Sequence, residues 1–145
     1  MDDYGFSDFI KLIDCIVMGR KTFNQVLKFE DWPYKKPVFV LSNTLKELPL
    51  KLDGKAEILS GKISDLVENL NSKGFNNLYI DGGQTIQSFL NEDLIDEMII
   101  TTVSIILGEG VPLFANIKRS TRFKCKKVDL INPYLVKHYY VREDW

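Results

Sequence analysis

The sequence predicts an α/β fold, with a mostly parallel central sheet covered by helices on both faces and an antiparallel hairpin at the C-terminal end. Over most of the 145 residues, short apolar runs typical of buried strands alternate with segments of helical periodicity. This alternation is the pattern of β-α-β units and therefore of parallel strands. The last third differs, because two strand-like stretches, residues 123–130 and 135–141, are joined by Asn132-Pro133. That arrangement is typical of a hairpin.

Each element follows from a local pattern. Phe6, Phe9 and Ile10 recur at helical spacing after Ser7 and Asp8, which predicts a short first helix. The apolar runs predict strands at 15–18, 37–41, 56–59 and 77–80, and an isoleucine-rich, long central strand at 97–107. Helical periodicity predicts further helices at 22–27, 63–70 and 85–90.

Composition limits the possible classes of protein. Hydrophobic residues make up 45% and charged residues 27% of the chain, which is the profile of a globular protein of one domain, residues 1–145. The net charge of -1 gives no field that would attract nucleic acid or an anionic membrane. The nearly apolar stretch 98–107 is too short to span a bilayer, and residues 1–10 lack signal-peptide features. We therefore expect a cytoplasmic protein with Cys15 and Cys125 as buried free thiols.

Three turns at strand ends carry residues suited to binding phosphate. Gly19-Arg20-Lys21-Thr22 follows the first predicted strand, Ser42-Asn43-Thr44 follows the second, and Asp81-Gly82-Gly83-Gln84-Thr85 follows the strand at 77–80. In open α/β sheets, ligands gather outside the carboxyl ends of the strands. Glycine lets the backbone approach an anion, and Arg and Lys side chains supply positive charge. The three turns together therefore predict a ligand with several phosphates, such as a dinucleotide.

A simpler interpretation applies to each turn alone. Glycine and threonine at a strand–helix junction are ordinary tight-turn and helix-capping residues. This interpretation would have to apply separately to all three turns along one sheet edge, which makes it less attractive than a shared phosphate-binding role. The turns are not the Rossmann fingerprint, because no G-x-G-x-x-G follows the first strand, and Gly108-Glu109-Gly110 precedes Val111-Pro112 rather than a helix.

The order of the motifs resembles the dihydrofolate reductase superfamily. The similarity is strongest to its small bacterial reductases, which are related to the C-terminal domain of the riboflavin-biosynthesis deaminase-reductase. The motifs that carry it are VMGRKTF (17–23), VLSN (40–43), YIDGGQTIQSFL (79–90), LIDEMIITTVSIILGEGVPLF (94–114) and the closing strand pair. The resemblance implies a three-layer sandwich and an NADPH-dependent reductase. Such an enzyme would reduce a pterin-like or pyrimidine small molecule by hydride transfer. The resemblance also implies a homodimer.

The resemblance also assigns roles to the turns. Arg20 looks like the arginine that takes the 2′-phosphate of NADPH, and Thr22 looks like a pyrophosphate contact. Ser42 and Asn43 resemble residues beside the adenine and its 2′-phosphate. The residues implied for binding the cofactor are Gly19, Arg20, Lys21, Thr22, Leu41, Ser42, Asn43, Gly82, Gly83, Gln84 and Thr85.

Two further assignments rest on the resemblance. Gly82 and Gly83 resemble a pair that the family joins by a cis peptide beneath the cofactor, with Gln84 and Thr85 starting the helix over the pyrophosphate. Thr101 aligns with a threonine that reaches toward the substrate ring or toward a water beside it.

One departure from the family bears on activity. The family begins with a central strand and a loop over the nicotinamide, whereas residues 1–5 look like the approach to the first helix. We therefore expect that this strand is missing, and that a partner chain, a longer natural chain or a rearranged sheet compensates. An alternative function is a truncated, non-catalytic domain that binds a nucleotide or dimerises.

No residue stands out as the catalyst. His138 is the only histidine, so no metal site is expected, and a lone histidine on a strand is more often structural. Asp2 and Asp3 lie near the pocket mouth in the family, but acidic residues at a chain terminus are usually solvated. Glu109 is best interpreted as a polar turn residue.

Overall fold

The computed structural model describes residues 3–143, and the chain divides into two compact units, Met1–Ile86 and Gln87–Trp145. The elements are, in chain order, α1 (Phe6–Lys11), β1 (Cys15–Gly19), α2 (Arg20–Val26), β2 (Val38–Leu41), a 3-10 turn (Leu50–Leu52), β3 (Ala56–Leu59), α3 (Ile63–Ser72), β4 (Leu78–Asp81), α4 (Gly83–Asn91), β5 (Glu97–Val103), β6 (Phe123–Asn132) and β7 (Leu135–Arg142). The boundary between the units falls within α4. None of the helices described between residues 3 and 143 is long and apolar enough to cross a membrane.

The first unit is built on a four-stranded parallel sheet in the order β3-β2-β1-β4. Strand β1 lies between two neighbours, and its residues from Cys15 to Met18 are at most 1% exposed. A strand buried on both faces needs a continuous apolar run, and Cys-Ile-Val-Met supplies one. Burial raises the pKa of the Cys15 thiol to about 12, so this cysteine is an unreactive core residue.

The core of the first unit lies on one face of this sheet. Ile16 and Met18 of β1 pack with Val38 and Val40 of β2 and with Phe23 of α2. All five side chains are at most 1% exposed. The period of two along each strand explains why alternate residues reach the same cluster.

The second unit contains a three-stranded antiparallel sheet in the order β5-β7-β6. The expected long central strand at 97–107 is wrong, because β5 ends at Val103 and lies at an edge of this sheet. The N–H of Ser104 donates to the carbonyl of Tyr134 at 2.9 Å, and pairing with β7 ends there. Ile105 and Ile106 follow as a solvent-exposed segment, 67% and 98% exposed.

The predicted α/β class, with its parallel sheet, helices and C-terminal antiparallel hairpin, is confirmed. Both cysteines are free thiols, as expected. Only Cys15 is buried, however, and the expectation of a buried Cys125 is wrong. Cys125 lies beside an irregularity in the pairing of β6 with β7, where the alternation of inward and outward side chains is interrupted.

Candidate functional site

The three predicted turns lie at one edge of the parallel sheet. Strand β1 is central, with β2 on one side and β4 on the other. Gly19 pairs with Leu41 and Met18 pairs with Asp81, so the carboxyl ends of the three strands are level. Neighbouring strands lie about 4.8 Å apart, so the turns that follow them are adjacent. Every residue predicted to bind the cofactor belongs to this edge of the first unit.

Two of the turns are packed against each other by crossed threonine–glycine contacts. A Cβ atom built on Gly19 would lie 2.7 Å from the hydroxyl oxygen of Thr85. A Cβ built on Gly82 would lie even closer to the hydroxyl oxygen of Thr22, and 3.4 Å from its Cβ. Each glycine therefore makes room for a threonine from the other turn. The GRKT and GGQT segments consequently form one interlocked surface.

Arg20 and Lys21 supply positive charge at this edge. Both side chains are exposed at the start of α2, directly after Gly19. None of the ion pairs found between residues 3 and 143 includes either of them. Two adjacent cations without a carboxylate partner can bind an anionic group of a ligand, with the planar guanidinium suited to a phosphate.

The Ser42-Asn43 turn uses its side chains to shape itself. The Ser42 hydroxyl accepts the N–H groups of Leu45 at 2.9 Å and Thr44 at 3.2 Å. The side-chain amide oxygen of Asn43 accepts the N–H of Gly61 at 3.3 Å. In this turn, therefore, the simpler interpretation as turn chemistry accounts for the contacts seen. Leu41, half-buried at the end of β2, carries the turn to the edge.

The Gly82-Gly83 pair differs from the geometry that the resemblance implied. No peptide bond among residues 3–143 is cis, so that expectation is wrong for this structure. Gly82 instead has a φ of +99°, a conformation that L side chains rarely adopt, and this residue turns the chain from β4 into α4. Gly83 and Gln84 then begin α4.

The remaining candidates lie elsewhere. Thr101 is an exposed residue of β5 in the second unit, opposite Lys137 of β7. His138 stacks on Tyr140, with ring centroids 6.0 Å apart. Asp2 lies outside the described residues. Asp3 is exposed, and its carboxylate accepts the N–H groups of Gly5 and Ser7, both at 3.0 Å, at the approach to α1.

Sequence reasoning missed a carboxyl group at this edge of the sheet, at the end of β4. Asp81, the last residue of β4, is half-buried, and burial raises the pKa of its carboxyl. The Gly82 N–H, and then the Tyr34 hydroxyl, oppose this rise in the pKa of Asp81. Burial, and then the neighbouring Asp81, raise the pKa of Tyr34 to about 12. The position of Asp81 at the start of the DGGQT motif was a usable signal, whereas nothing in the sequence indicates that Tyr34 reaches it.

The fold and this strand-end site define a dihydrofolate reductase-like α/β protein. The chain belongs to the RibD C-terminal domain family, whose model matches residues 6–137.

Two solved structures and one curated protein are similar to this chain. A putative riboflavin biosynthesis protein from Shewanella sp. PV-4 is 49% identical, with a TM-score of 0.95 over 99% of this chain and 81% of that one. The diaminohydroxyphosphoribosylaminopyrimidine deaminase/5-amino-6-(5-phosphoribosylamino)uracil reductase of Thermotoga maritima shares the fold, with a TM-score of 0.74 at 13% identity, over 98% of this chain and 49% of that one. The uncharacterized protein YwjB of Bacillus subtilis is 28% identical over 94% of this chain and 79% of its own length.

Proposed function

We propose that this protein is a cytoplasmic, NADPH-dependent reductase that transfers a hydride to a pyrimidine- or pterin-like small molecule, as in riboflavin biosynthesis. The observation that carries the proposal is the pair of exposed cations, Arg20 and Lys21, which lie beside the interlocked glycine turns and form no ion pair with another residue between 3 and 143. Membership of the RibD C-terminal domain family supports the reductase chemistry. The proposal includes no nucleic-acid or membrane partner.

The residues at the strand ends fit a dinucleotide with a 2′-phosphate. Arg20 would bind that phosphate through its guanidinium, and Lys21 would add a second positive charge. Gly83, where an added Cβ would meet nothing within 4 Å, leaves room for a pyrophosphate to approach the backbone at the start of α4. A bound NADPH would supply the hydride, so the protein needs no nucleophile or metal of its own for that transfer.

The first test is the preference for NADPH over NADH. We expect Arg20→Ala to weaken NADPH binding about 10–100-fold, because one charge-assisted contact is lost, and to leave NADH binding nearly unchanged. Lys73→Ala removes another exposed lysine, just after the last residue of α3, and serves as the matched control. Both dissociation constants are measured by nicotinamide fluorescence. An equal loss for the two cofactors would contradict the role of Arg20 as the 2′-phosphate ligand.

The second test separates the reductase from its alternative. Oxidation of NADPH is followed by the loss of its near-ultraviolet absorbance, with phosphoribosylaminopyrimidine and pterin substrates. Turnover with either class supports the reductase. Tight NADPH binding without turnover would instead identify a non-catalytic nucleotide-binding domain.

A homodimer is also part of the proposal, and its support lies in the second unit. Val128 and Leu130 are 55% and 73% exposed and lie on one face of β6, opposite His138 and Val136 of β7. Exposed apolar side chains on one sheet face are typical of protein–protein interfaces. We expect Leu130→Glu to convert a dimer to a monomer in sedimentation velocity, and Asp129→Ala, on the opposite face of the same strand, to leave the dimer intact.

A further inference from the structure

Lys62 is an exposed cation that follows β3, at the same edge of the parallel sheet as Arg20. Gly19 at the end of β1 pairs with Leu41 of β2, and Leu41 pairs with Leu59 of β3, so the three strands end level. Only β2 lies between β1 and β3, which puts their ends two strand spacings, or about 10 Å, apart. The turns that carry Arg20 and Lys62 therefore flank the turn after β2.

Two hydrogen bonds tie the turn after β3 to the turn after β2. The Gly61 N–H donates to the side-chain amide oxygen of Asn43 at 3.3 Å. The Ser42 N–H donates to the carbonyl of Leu59 at 3.0 Å. Gly61, with a φ of +116°, turns the chain toward α3, and Lys62 follows it directly. The backbone that carries Lys62 is therefore held against the turn that carries Asn43.

The groups that these two turns offer to a ligand are hydrogen-bond donors. The Ser42 hydroxyl oxygen and the Asn43 amide oxygen already accept backbone N–H groups. The Nδ2 amino group of Asn43, in contrast, bonds nothing between residues 3 and 143. Within the same range, the Lys62 side chain forms no ion pair, not even with Asp65 in the first turn of α3. Donors and a positive charge without an acceptor or a carboxylate suit an anion.

Lys62 also occupies a helix position at which lysine is unfavourable. It is the N-cap residue of α3, and its side chain makes no capping hydrogen bond. Ser, Thr, Asp and Asn are the preferred N-cap residues, and the helix dipole disfavours a positive charge at this end. The start of α3 is thus less stable than another residue at position 62 would make it. A departure from local preference of this kind is expected where a residue serves binding.

We propose that Lys62 is a further ligand of the cofactor's 2′-phosphate and, together with Arg20, determines the preference for NADPH over NADH. The two cations would bind this phosphate from either side of the turn after β2, with the Asn43 amino group as an additional donor. The inference rests on the proposed reductase function. It adds a specificity-determining residue that neither the sequence motifs nor the resemblance assigned.

The first experiment compares two nucleotides that differ only in the 2′-phosphate, 2′,5′-ADP and 5′-AMP, by isothermal titration calorimetry. We expect Lys62→Ala to weaken binding of 2′,5′-ADP about 5–30-fold, because one charged contact is lost, and to leave binding of 5′-AMP unchanged. Lys73→Ala removes an exposed lysine at the other end of α3 and should bind both nucleotides as the wild type does. An unchanged ratio of the two affinities in Lys62→Ala would overturn the inference.

The second experiment uses Lys62→Asp to distinguish a binding role from a structural one. Aspartate is a preferred N-cap residue and its charge suits the start of a helix, so the midpoint of urea unfolding should rise above that of the wild type. The same variant should bind 2′,5′-ADP more weakly than Lys62→Ala does, because repulsion replaces attraction. A lower unfolding midpoint, or an unchanged affinity for 2′,5′-ADP, would overturn the inference.

A double-mutant cycle tests whether Arg20 and Lys62 bind the same phosphate. If they do, the losses of 2′,5′-ADP affinity in Arg20→Ala and Lys62→Ala should not add in the double variant. Strictly additive losses would assign the two cations to different groups and overturn the inference. Absence of any wild-type preference for 2′,5′-ADP over 5′-AMP would contradict the proposed function itself. A preference that is lost in Arg20→Ala but kept in Lys62→Ala would contradict only the role of Lys62.

Discussion

Replacing Gly82 with alanine should cost more stability than replacing Gly74, although the two glycines have nearly the same φ. Gly74 has a φ of +93° and Gly82 a φ of +99°. An L residue in a left-handed conformation costs about 1–2 kcal/mol, and both variants carry this cost. The two sites differ in their surroundings, because a Cβ on Gly74 meets nothing within 4 Å, whereas one on Gly82 meets Thr22.

The additional cost at Gly82 follows from this contact. A new methyl group forced against Thr22 is a small-to-large substitution in a packed site, which costs about 1–3 kcal/mol. We therefore expect the free energy of unfolding to fall by about 1–2 kcal/mol in Gly74→Ala and by about 2–5 kcal/mol in Gly82→Ala. Urea denaturation followed by circular dichroism measures both values.

A double variant tests the cause of the difference. Adding Thr22→Ala to Gly82→Ala removes the hydroxyl that the new methyl group would contact, and should recover most of the additional cost. Thr22→Ala in the wild-type background gives the fourth corner of the double-mutant cycle. Equal losses in Gly74→Ala and Gly82→Ala, or no coupling between positions 22 and 82, would refute the interlocked packing of the two turns.

Three further predictions concern other contacts. Asp14 accepts the N–H groups of Asn76 and Asn77, both at 2.8 Å, and these bonds lower its pKa. Its stabilisation is therefore present above the unfolded-state pKa of about 3.9 and is lost as pH falls through the lower folded-state pKa. The unfolding free energies of Asp14→Ala and wild type, measured against pH, should converge in acid, and a constant difference would contradict this. Gln87 is 8% exposed and donates its side-chain N–H to the carbonyl of Leu113 at 3.0 Å. Gln87→Met should therefore lower the free energy of unfolding by about 1–3 kcal/mol and accelerate proteolysis after residue 104. An unchanged rate of cleavage would contradict this prediction. Native protein should react rapidly with a thiol reagent once per chain, and Cys125→Ser should abolish the reaction, because Cys15 is buried; two rapid thiols would be inconsistent with the fold.

The sequence predicted the elements of the first unit well, because continuous apolar runs and helical periodicity mark different segments there. The apolar run at 15–18 is continuous, as in a fully buried strand, and the helix at 63–70 has a clear period of 3.6 residues, so strand and helix were distinguishable. The same reasoning failed at 104–107. Apolar residues were interpreted as strand, yet Ile106 is 98% exposed, and composition does not reveal whether a neighbouring strand is present to pair with them.

The candidate site divides in the same way. The glycine turns, Arg20 and Lys21 were predictable, because glycine indicates a tight turn and Arg and Lys carry positive charge whatever the rest of the chain does. The contact between Tyr34 and Asp81 was not, because it depends on how the segment before β2 packs across the sheet. The side-chain bonds of Ser42 were equally hidden, because a serine that shapes its own turn and one that awaits a ligand are identical in sequence.

The crossed threonine–glycine packing has an evolutionary consequence. Each glycine is paired with the threonine that fills the space beside it: position 19 with position 85, and position 82 with position 22. A bulkier residue at either glycine is tolerated only where the paired threonine has been replaced by a smaller residue. Across descendants of a common ancestor, substitutions at these pairs should therefore appear together. A change in one of the two turns should be accompanied by a change in the other.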